Sequence, residues 1–118
     1  MTLYLVGVPH ASSAPNILAV RFSSIGDILL TTPLLRAIRH THTGSRMTVL
    51  TKREYVPLLS HNPNVQRVVG LAPGRSLLSL AAELRGDDYT HLLDLHDNLR
   101  SRALRVLMPG RWRSYPKH

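Results

Sequence analysis

Short apolar runs alternate along the chain with longer segments in which apolar residues recur every three or four positions. The first run, residues 17–22, predicts a buried strand, and the recurrence across 27–40 predicts the helix that follows it. The same alternation predicts strands at 47–51, 65–69, 91–95 and 111–115, and helices at 53–59, 77–84 and 98–108. Strands that alternate with helices in this way indicate βαβ units, so we expect an α/β fold, a Rossmann-like parallel sheet flanked by helices.

The first fifteen residues do not follow this alternation. They hold a short apolar piece at 3–8 and then a stretch rich in Pro and Ser, whereas a secretory signal has a basic start and a longer apolar core. We therefore expect residues 1–15 to be a disordered leader, or the product of a translation start placed too early. No run approaches the roughly 20 apolar residues of a membrane span. We expect a soluble or peripheral protein.

The loop after the first predicted strand is the strongest candidate for chemistry. It lacks the glycine spacing of dinucleotide binders and of P-loop proteins, so neither hydride transfer nor nucleotide hydrolysis is supported. It offers the hydroxyls of Ser23 and Ser24, a close backbone approach at Gly26 and the carboxylate of Asp27. In α/β sheets ligands bind at the carboxyl ends of the strands, where this acid would lie. The competing interpretation is a capping box, in which Ser24 and Asp27 only begin the helix.

A second group of polar residues follows the strand predicted at 91–95. Arg100 and Ser101 fall in the first turn of the next helix, beside unpaired amides that favour an anion. The alternative is that the arginines of this helix only solvate its polar face, which suits Arg102 and Arg105 better than Arg100. His96 fits a turn histidine with satisfied hydrogen bonds better than a catalytic one.

The composition gives the chain a large positive net charge. The 118 residues include 15 Lys and Arg, 13 of them Arg, against 7 Asp and Glu, a formal net charge of +8. This excess indicates either an anionic partner or a solvated basic surface. The chain has no cysteine, which excludes disulfides and thiolate catalysis, and its seven histidines lack the spacing of a zinc motif. We expect no metal.

The two polar segments resemble glycosyltransferase family 9, the bacterial lipopolysaccharide heptosyltransferases. The resemblance is carried in order by ILAVRFSSIGDILLTTPLLRAI at 17–38, YVPLL at 55–59, NPNV at 62–65, and the DL and NLRS of 94–101. It implies a GT-B fold of two Rossmann-like domains, of which residues 16–118 would be part of the acceptor-side domain. The acceptor would be an inner-core lipopolysaccharide sugar with carboxylates and phosphates, and the donor ADP-heptose.

The resemblance also implies roles for the candidate residues. Transfer in this family inverts the anomeric centre without an essential metal or cofactor, and Asp27 would be the general base. Arg100 and Ser101 would hold acceptor anions, while Ser23, Ser24 and Gly26 would shape the loop. We expect a location in the cytoplasm, with peripheral contact at the inner face of the bacterial inner membrane.

Two features depart from the family pattern. His96 and Asp97 stand where the family commonly has Gln-Gly, which adds an acid near the predicted anion site. The chain also ends around the fifth strand, so we expect a fragment without the carboxy-terminal donor domain, inactive alone because half of the substrate clamp is missing.

The alternative function is a standalone basic α/β module that binds an anionic polymer such as nucleic acid. The charge supports it, but one Trp and one Phe provide no aromatic platform for stacking bases. We therefore expect no specific binding of nucleic acid.

Overall fold

The computed structural model describes residues 15–22, 25–96, 99–108, 110 and 112–114, with a five-stranded parallel sheet. The predicted leader lies outside these residues except for Pro15. The strands are β1 (Asn16–Val20), β2 (Arg46–Lys52), β3 (Arg67–Leu71), β4 (His91–Asp94) and β5 (Trp112–Ser114). The helices are α1 (Ile25–Thr41), α2 (Val56–Leu59), α3 (Leu77–Arg85) and α4 (Leu99–Leu107), with a 3-10 turn at Arg53–Tyr55 before α2.

The strand order β3-β2-β1-β4-β5 places β1 at the centre of the sheet. In register, Ala19 of β1 lies between Val49 of β2 and Leu93 of β4. The chain moves from β1 outward to β3 on one side, and then returns to place β4 on the other side of β1. This is the order of a Rossmann-like doubly wound sheet, so the predicted fold class is confirmed.

Two of the predicted elements differ in their limits. The strand predicted at 65–69 begins at Arg67, because the Asn62 turn continues to Val65, whose N–H donates to the Asn62 carbonyl at 3.0 Å. The helix predicted at 53–59 is divided into the 3-10 turn and the single turn of α2.

The core consists of two apolar layers, one on each face of the sheet. Because successive strand side chains point to opposite faces, Ile17 packs with Ile28 and Leu35 of α1, while Leu18 packs on the other face with the layer that holds Leu80 of α3. With both faces covered, β1 is an uninterrupted buried apolar run, as expected for a parallel sheet.

Helix α1 continues through Pro33, although a proline inside a helix commonly kinks or breaks it. A proline has no N–H, so the carbonyl of Leu29, four residues earlier, loses its usual partner. The Thr32 hydroxyl donates to that carbonyl at 2.7 Å. This side-chain bond replaces the missing backbone bond and helps to explain why the helix runs unbroken from Ile25 to Thr41.

The amino edge of the sheet is closed by polar contacts. The N–H of Thr90 donates to the Asn16 carbonyl at 2.8 Å, and the N–H of Asn16 donates to the Thr90 hydroxyl at 2.8 Å. Arg67 pairs with Asp87 at 2.8 Å. The Tyr89 hydroxyl donates to the same carboxylate at 3.2 Å, and burial raises the pKa of this phenol. The carboxyl edge is the more open end.

Gly70 of β3 allows the 3-10 turn to pack closely against the sheet. A Cβ atom at this position would lie 2.8 Å from Val56 Cγ2 and 3.0 Å from Arg53 Cα. Because the second of these atoms is backbone, the turn itself would have to move.

We predict that Gly70→Ala lowers the free energy of unfolding by about 1–3 kcal/mol, the usual cost of overpacking. Urea denaturation at neutral pH measures the change. The matched control is Gly26→Ala in the first turn of α1, where an added Cβ meets nothing within 4 Å. There we expect stability to be unchanged or up to about 1 kcal/mol higher, since alanine favours the helix. Equal effects of the two substitutions would contradict this account.

Candidate functional site

The candidate site lies where β1 and β4 end, at the point where the order of the sheet changes direction. The chain goes from β1 to β2 on one side, and β4 returns on the other, while α1 and α4 pack on opposite faces of the sheet. Open α/β sheets form a crevice at such a point. Crevices of this kind hold the ligands of open α/β sheets. Helix α1 places Asp27 in its first turn at this edge.

Backbone contacts fasten the residues after β1 to both neighbouring strands. The N–H of Arg21 donates to the Leu50 carbonyl at 2.9 Å, and that of Leu95 donates to the Val20 carbonyl at 3.0 Å. The N–H of Phe22 donates to Nδ1 of His96 at 3.1 Å. The floor of the crevice is therefore fixed from both sides before α1 begins.

Arg21 is a buried cation in this floor and contacts Asp27. Its side chain is 4% exposed, and Nη2 lies 2.6 Å from Asp27 Oδ2. Nη1 donates to the Leu95 carbonyl at 2.7 Å. The contact with Asp27 has the distance of an ion pair without the alignment of a hydrogen bond, and Nε has no hydrogen-bond partner in the described part of the chain. Burial of a guanidinium is costly unless it is paired, so Arg21 holds the carboxylate at the crevice.

Asp27 itself remains accessible. Its side chain is 35% exposed, against 4% for Arg21, so a ligand in the crevice can reach this carboxylate but not the guanidinium behind it. Ser24, the other member of the predicted capping box, lies outside the described residues.

His96 forms hydrogen bonds to Phe22 and Asp94 that connect the residues after β1 and β4. Because a backbone N–H can only donate, the bond from Phe22 requires the lone pair of His96 Nδ1, which is therefore unprotonated. The N–H of His96 donates in turn to Asp94 Oδ1 at 3.0 Å. These bonds agree with the interpretation of His96 as a turn histidine.

Asp94 is fully buried at the end of β4 and anchors α4. Arg105 donates to its Oδ2 through Nε at 2.9 Å and Nη2 at 2.7 Å. The expectation that Arg105 only solvates the helix face is wrong, because a carboxylate with no exposure needs a charged partner. The pair fixes the helix that carries Arg100 and Ser101.

The other predicted site residues are placed as follows. Ser23 lies outside the described residues, as does the side chain of Arg100, whose backbone is in the first turn of α4. Ser101 is fully buried, so a ligand could contact its hydroxyl only after a local rearrangement. Gly26 lies in the first turn of α1 with open space around it. The anion-binding roles of Arg100 and Ser101 stay predictions.

The sequence analysis missed Arg21, although its position carried a signal. It is a single charged residue at the end of an otherwise apolar buried run, and such a residue must find a partner inside the protein. The nearest acid that follows is Asp27.

This arrangement can bind a polar ligand at the crevice and remove a proton from it. Within the described residues there is no group of three His, Asp or Glu side chains placed to hold a metal ion. None of the described helices has the length and apolar character needed to cross a membrane.

Comparisons with known proteins find similar sequences among the lipopolysaccharide heptosyltransferases. The chain is 27% identical over 94 residues to lipopolysaccharide heptosyltransferase 3 of Escherichia coli K12, covering 73% of this chain and 27% of that protein. A second Escherichia coli lipopolysaccharide heptosyltransferase 3 is 28% identical over 80 residues, covering 61% of this chain and 24% of that protein. No protein-family model matches the chain.

Solved structures agree with the sequence comparison. A glycosyl transferase family 9 protein of Veillonella parvula superposes with a TM-score of 0.78 at 23% identity, covering 90% of this chain and 34% of that one. The ADP-heptose lipopolysaccharide heptosyltransferase II of Escherichia coli superposes with a TM-score of 0.73 at 21% identity, covering 84% of this chain and 30% of that one. The chain spans about a quarter to a third of the length of these relatives.

The fold is an α/β domain of the kind that forms part of GT-B glycosyltransferase structures. The chain is a distant homologue of glycosyltransferase family 9, the lipopolysaccharide heptosyltransferases, so the resemblance in its sequence is confirmed.

We predict that Arg21→Met lowers the free energy of unfolding by about 1–3 kcal/mol, because the buried Leu95 carbonyl loses its donor. Urea denaturation of the 118-residue chain measures the change. Arg36→Met on α1 is the matched control, since Arg36 is exposed and its loss should stay within about 0.5 kcal/mol. A similar loss in both variants would show that Arg21 has no special structural role.

Proposed function

We propose that this chain provides the acceptor side of a heptosyltransferase-type glycosyltransferase, in which Asp27 is the general base. The observation that carries the proposal is a partly exposed carboxylate held at the switch point of the sheet by a buried arginine. The homology to lipopolysaccharide heptosyltransferases supports the substrate class.

The proposed step is an inverting displacement. The Asp27 carboxylate takes the proton from an acceptor hydroxyl while that oxygen attacks the anomeric carbon of the donor. The bond from this carbon to the phosphate oxygen breaks, and the nucleoside diphosphate leaves with the electron pair. The contribution of Asp27 comes from its position beside the hydroxyl.

The acceptor is proposed to be an inner-core lipopolysaccharide sugar, and the donor ADP-heptose bound by a second domain. Much of the rate of a two-substrate transfer comes from holding both substrates in one orientation. The described residues form the sheet that would hold one of the two substrates. We therefore propose that the chain by itself does not transfer heptose.

We predict that Asp27→Asn reduces transfer by about 10²- to 10⁴-fold, the usual contribution of a general base. The test uses a chimera in which residues 16–114 replace the matching segment of Escherichia coli lipopolysaccharide heptosyltransferase 3. Release of ADP gives the rate, and NMR gives the anomeric configuration of the product, which should be inverted. The chain alone should give no transfer with the same substrates.

The matched control is Asp88→Asn, which removes the same charge from an exposed position after α3. Asp88 has a φ of 52°, a conformation that asparagine also adopts, so its fold should be retained. Full transfer in the Asp27→Asn chimera would remove Asp27 from the mechanism. No transfer by an unsubstituted chimera that unfolds cooperatively would count against the acceptor-side assignment.

A further inference from the structure

A second concave surface lies at the same edge of the sheet as Asp27, between the ends of β2 and β3. This basic cavity has a volume of about 400 Å³ and is lined by three cations, Lys52, Arg53 and Arg75, and one acid, Glu54. We propose that it binds a phosphate group carried by the acceptor saccharide. The proposal rests on the proposed function only in naming the acceptor as the molecule that carries the phosphate.

The cavity adjoins the candidate base through the backbone. The N–H of Lys52 and the hydroxyl of Thr51 both donate to the carbonyl of Phe22, each at 3.2 Å. Phe22 follows β1 and precedes Asp27 by five residues. Since neighbouring strands are about 4.8 Å apart, the cavity begins about one strand spacing from the end of β1. The cavity and Asp27 therefore lie at the ends of neighbouring strands, at the same edge of the sheet.

Two of the cations that line the basic cavity form no ion pair in the described part of the chain. Within the described residues, the charged groups of Lys52 and Arg53 make no ion pair, whereas Arg75 pairs with Glu83 at 2.8 Å. Arg75 is thus held in place, and the other two charges are available to a ligand. Arginine and lysine donors in a concave surface suit the oxygens of a phosphate.

The backbone around the basic cavity favours the binding of a ligand there. Gly70 lets the Arg53 backbone approach β3 closely, which brings that side chain to the end of the strand. Gly74 has a φ of +81° in the turn after β3, and no atom lies within 4 Å of where a Cβ would stand. The turn therefore leaves its main chain open toward the cavity.

The other large cavity does not share this chemistry. It has a volume of about 510 Å³ and lies between α1 and the turn at 62–64. Its lining carries one arginine, Arg36, with His40 and neutral Thr and Asn side chains. The concentration of positive charge distinguishes the basic cavity.

The test is a titration of the ¹⁵N-labelled full chain with inorganic phosphate and with glucose 6-phosphate, followed by NMR at an ionic strength of about 0.15 M, where the Debye length is about 8 Å. Both probes should shift the amides of Gly74 and Arg75, and glucose should not. The double variant Lys52→Gln, Arg53→Gln should weaken binding about tenfold or more, because two charged donors are lost. Thermal unfolding checks that the variant keeps its fold.

Arg46→Gln is the matched control, since Arg46 is exposed at the opposite, amino end of β2. It should change the affinity less than about twofold, because charges further apart than the Debye length are screened. Equal weakening by Arg46→Gln would overturn the site in favour of a general effect of net charge. Tighter binding of ADP than of glucose 6-phosphate here would overturn the assignment to the acceptor. Phosphate binding is measured on the chain alone and transfer on the chimera, so this proposal and the proposed function can fail separately.

Discussion

The buried guanidinium of Arg21 is the interaction on which the candidate site depends. A cation inside the protein needs charge and hydrogen bonds around it, and here they come from two other segments, the end of β4 through Leu95 and the start of α1 through Asp27. The three segments are therefore fixed relative to one another by a single side chain. The accessible carboxylate is held by a partner that is buried.

A second ion pair, between Asp94 and Arg105, lies at the end of β4 and has the reverse arrangement of burial. Asp94 is buried and Arg105 partly exposed, so the acid is now inside and the cation outside. Together the two pairs connect β1 to α1 and β4 to α4, which are the two helices that border the crevice. The ion pairs hold the first turn of α1 and the last turn of α4 against the sheet.

The order of elements was predictable from the sequence because apolar periodicity is local. A strand such as β1 shows its burial in four consecutive apolar residues, 17–20, and α3 shows itself in the apolar recurrence across 77–84. The long-range contacts were not predictable. The separation of 74 residues between Phe22 and His96 leaves no trace in either segment alone, and the role of Arg105 depends on a carboxylate on another element.

The tight packing of Gly70 has a consequence for how this chain can vary. The space that a side chain at position 70 would occupy is filled by Val56 and the backbone of Arg53, so these three positions share one volume. In related sequences a larger residue at the position of Gly70 should appear together with a smaller one at that of Val56, or with a displaced 3-10 turn. The end of β3 and the turn that carries Arg53 are thus constrained to evolve as one unit.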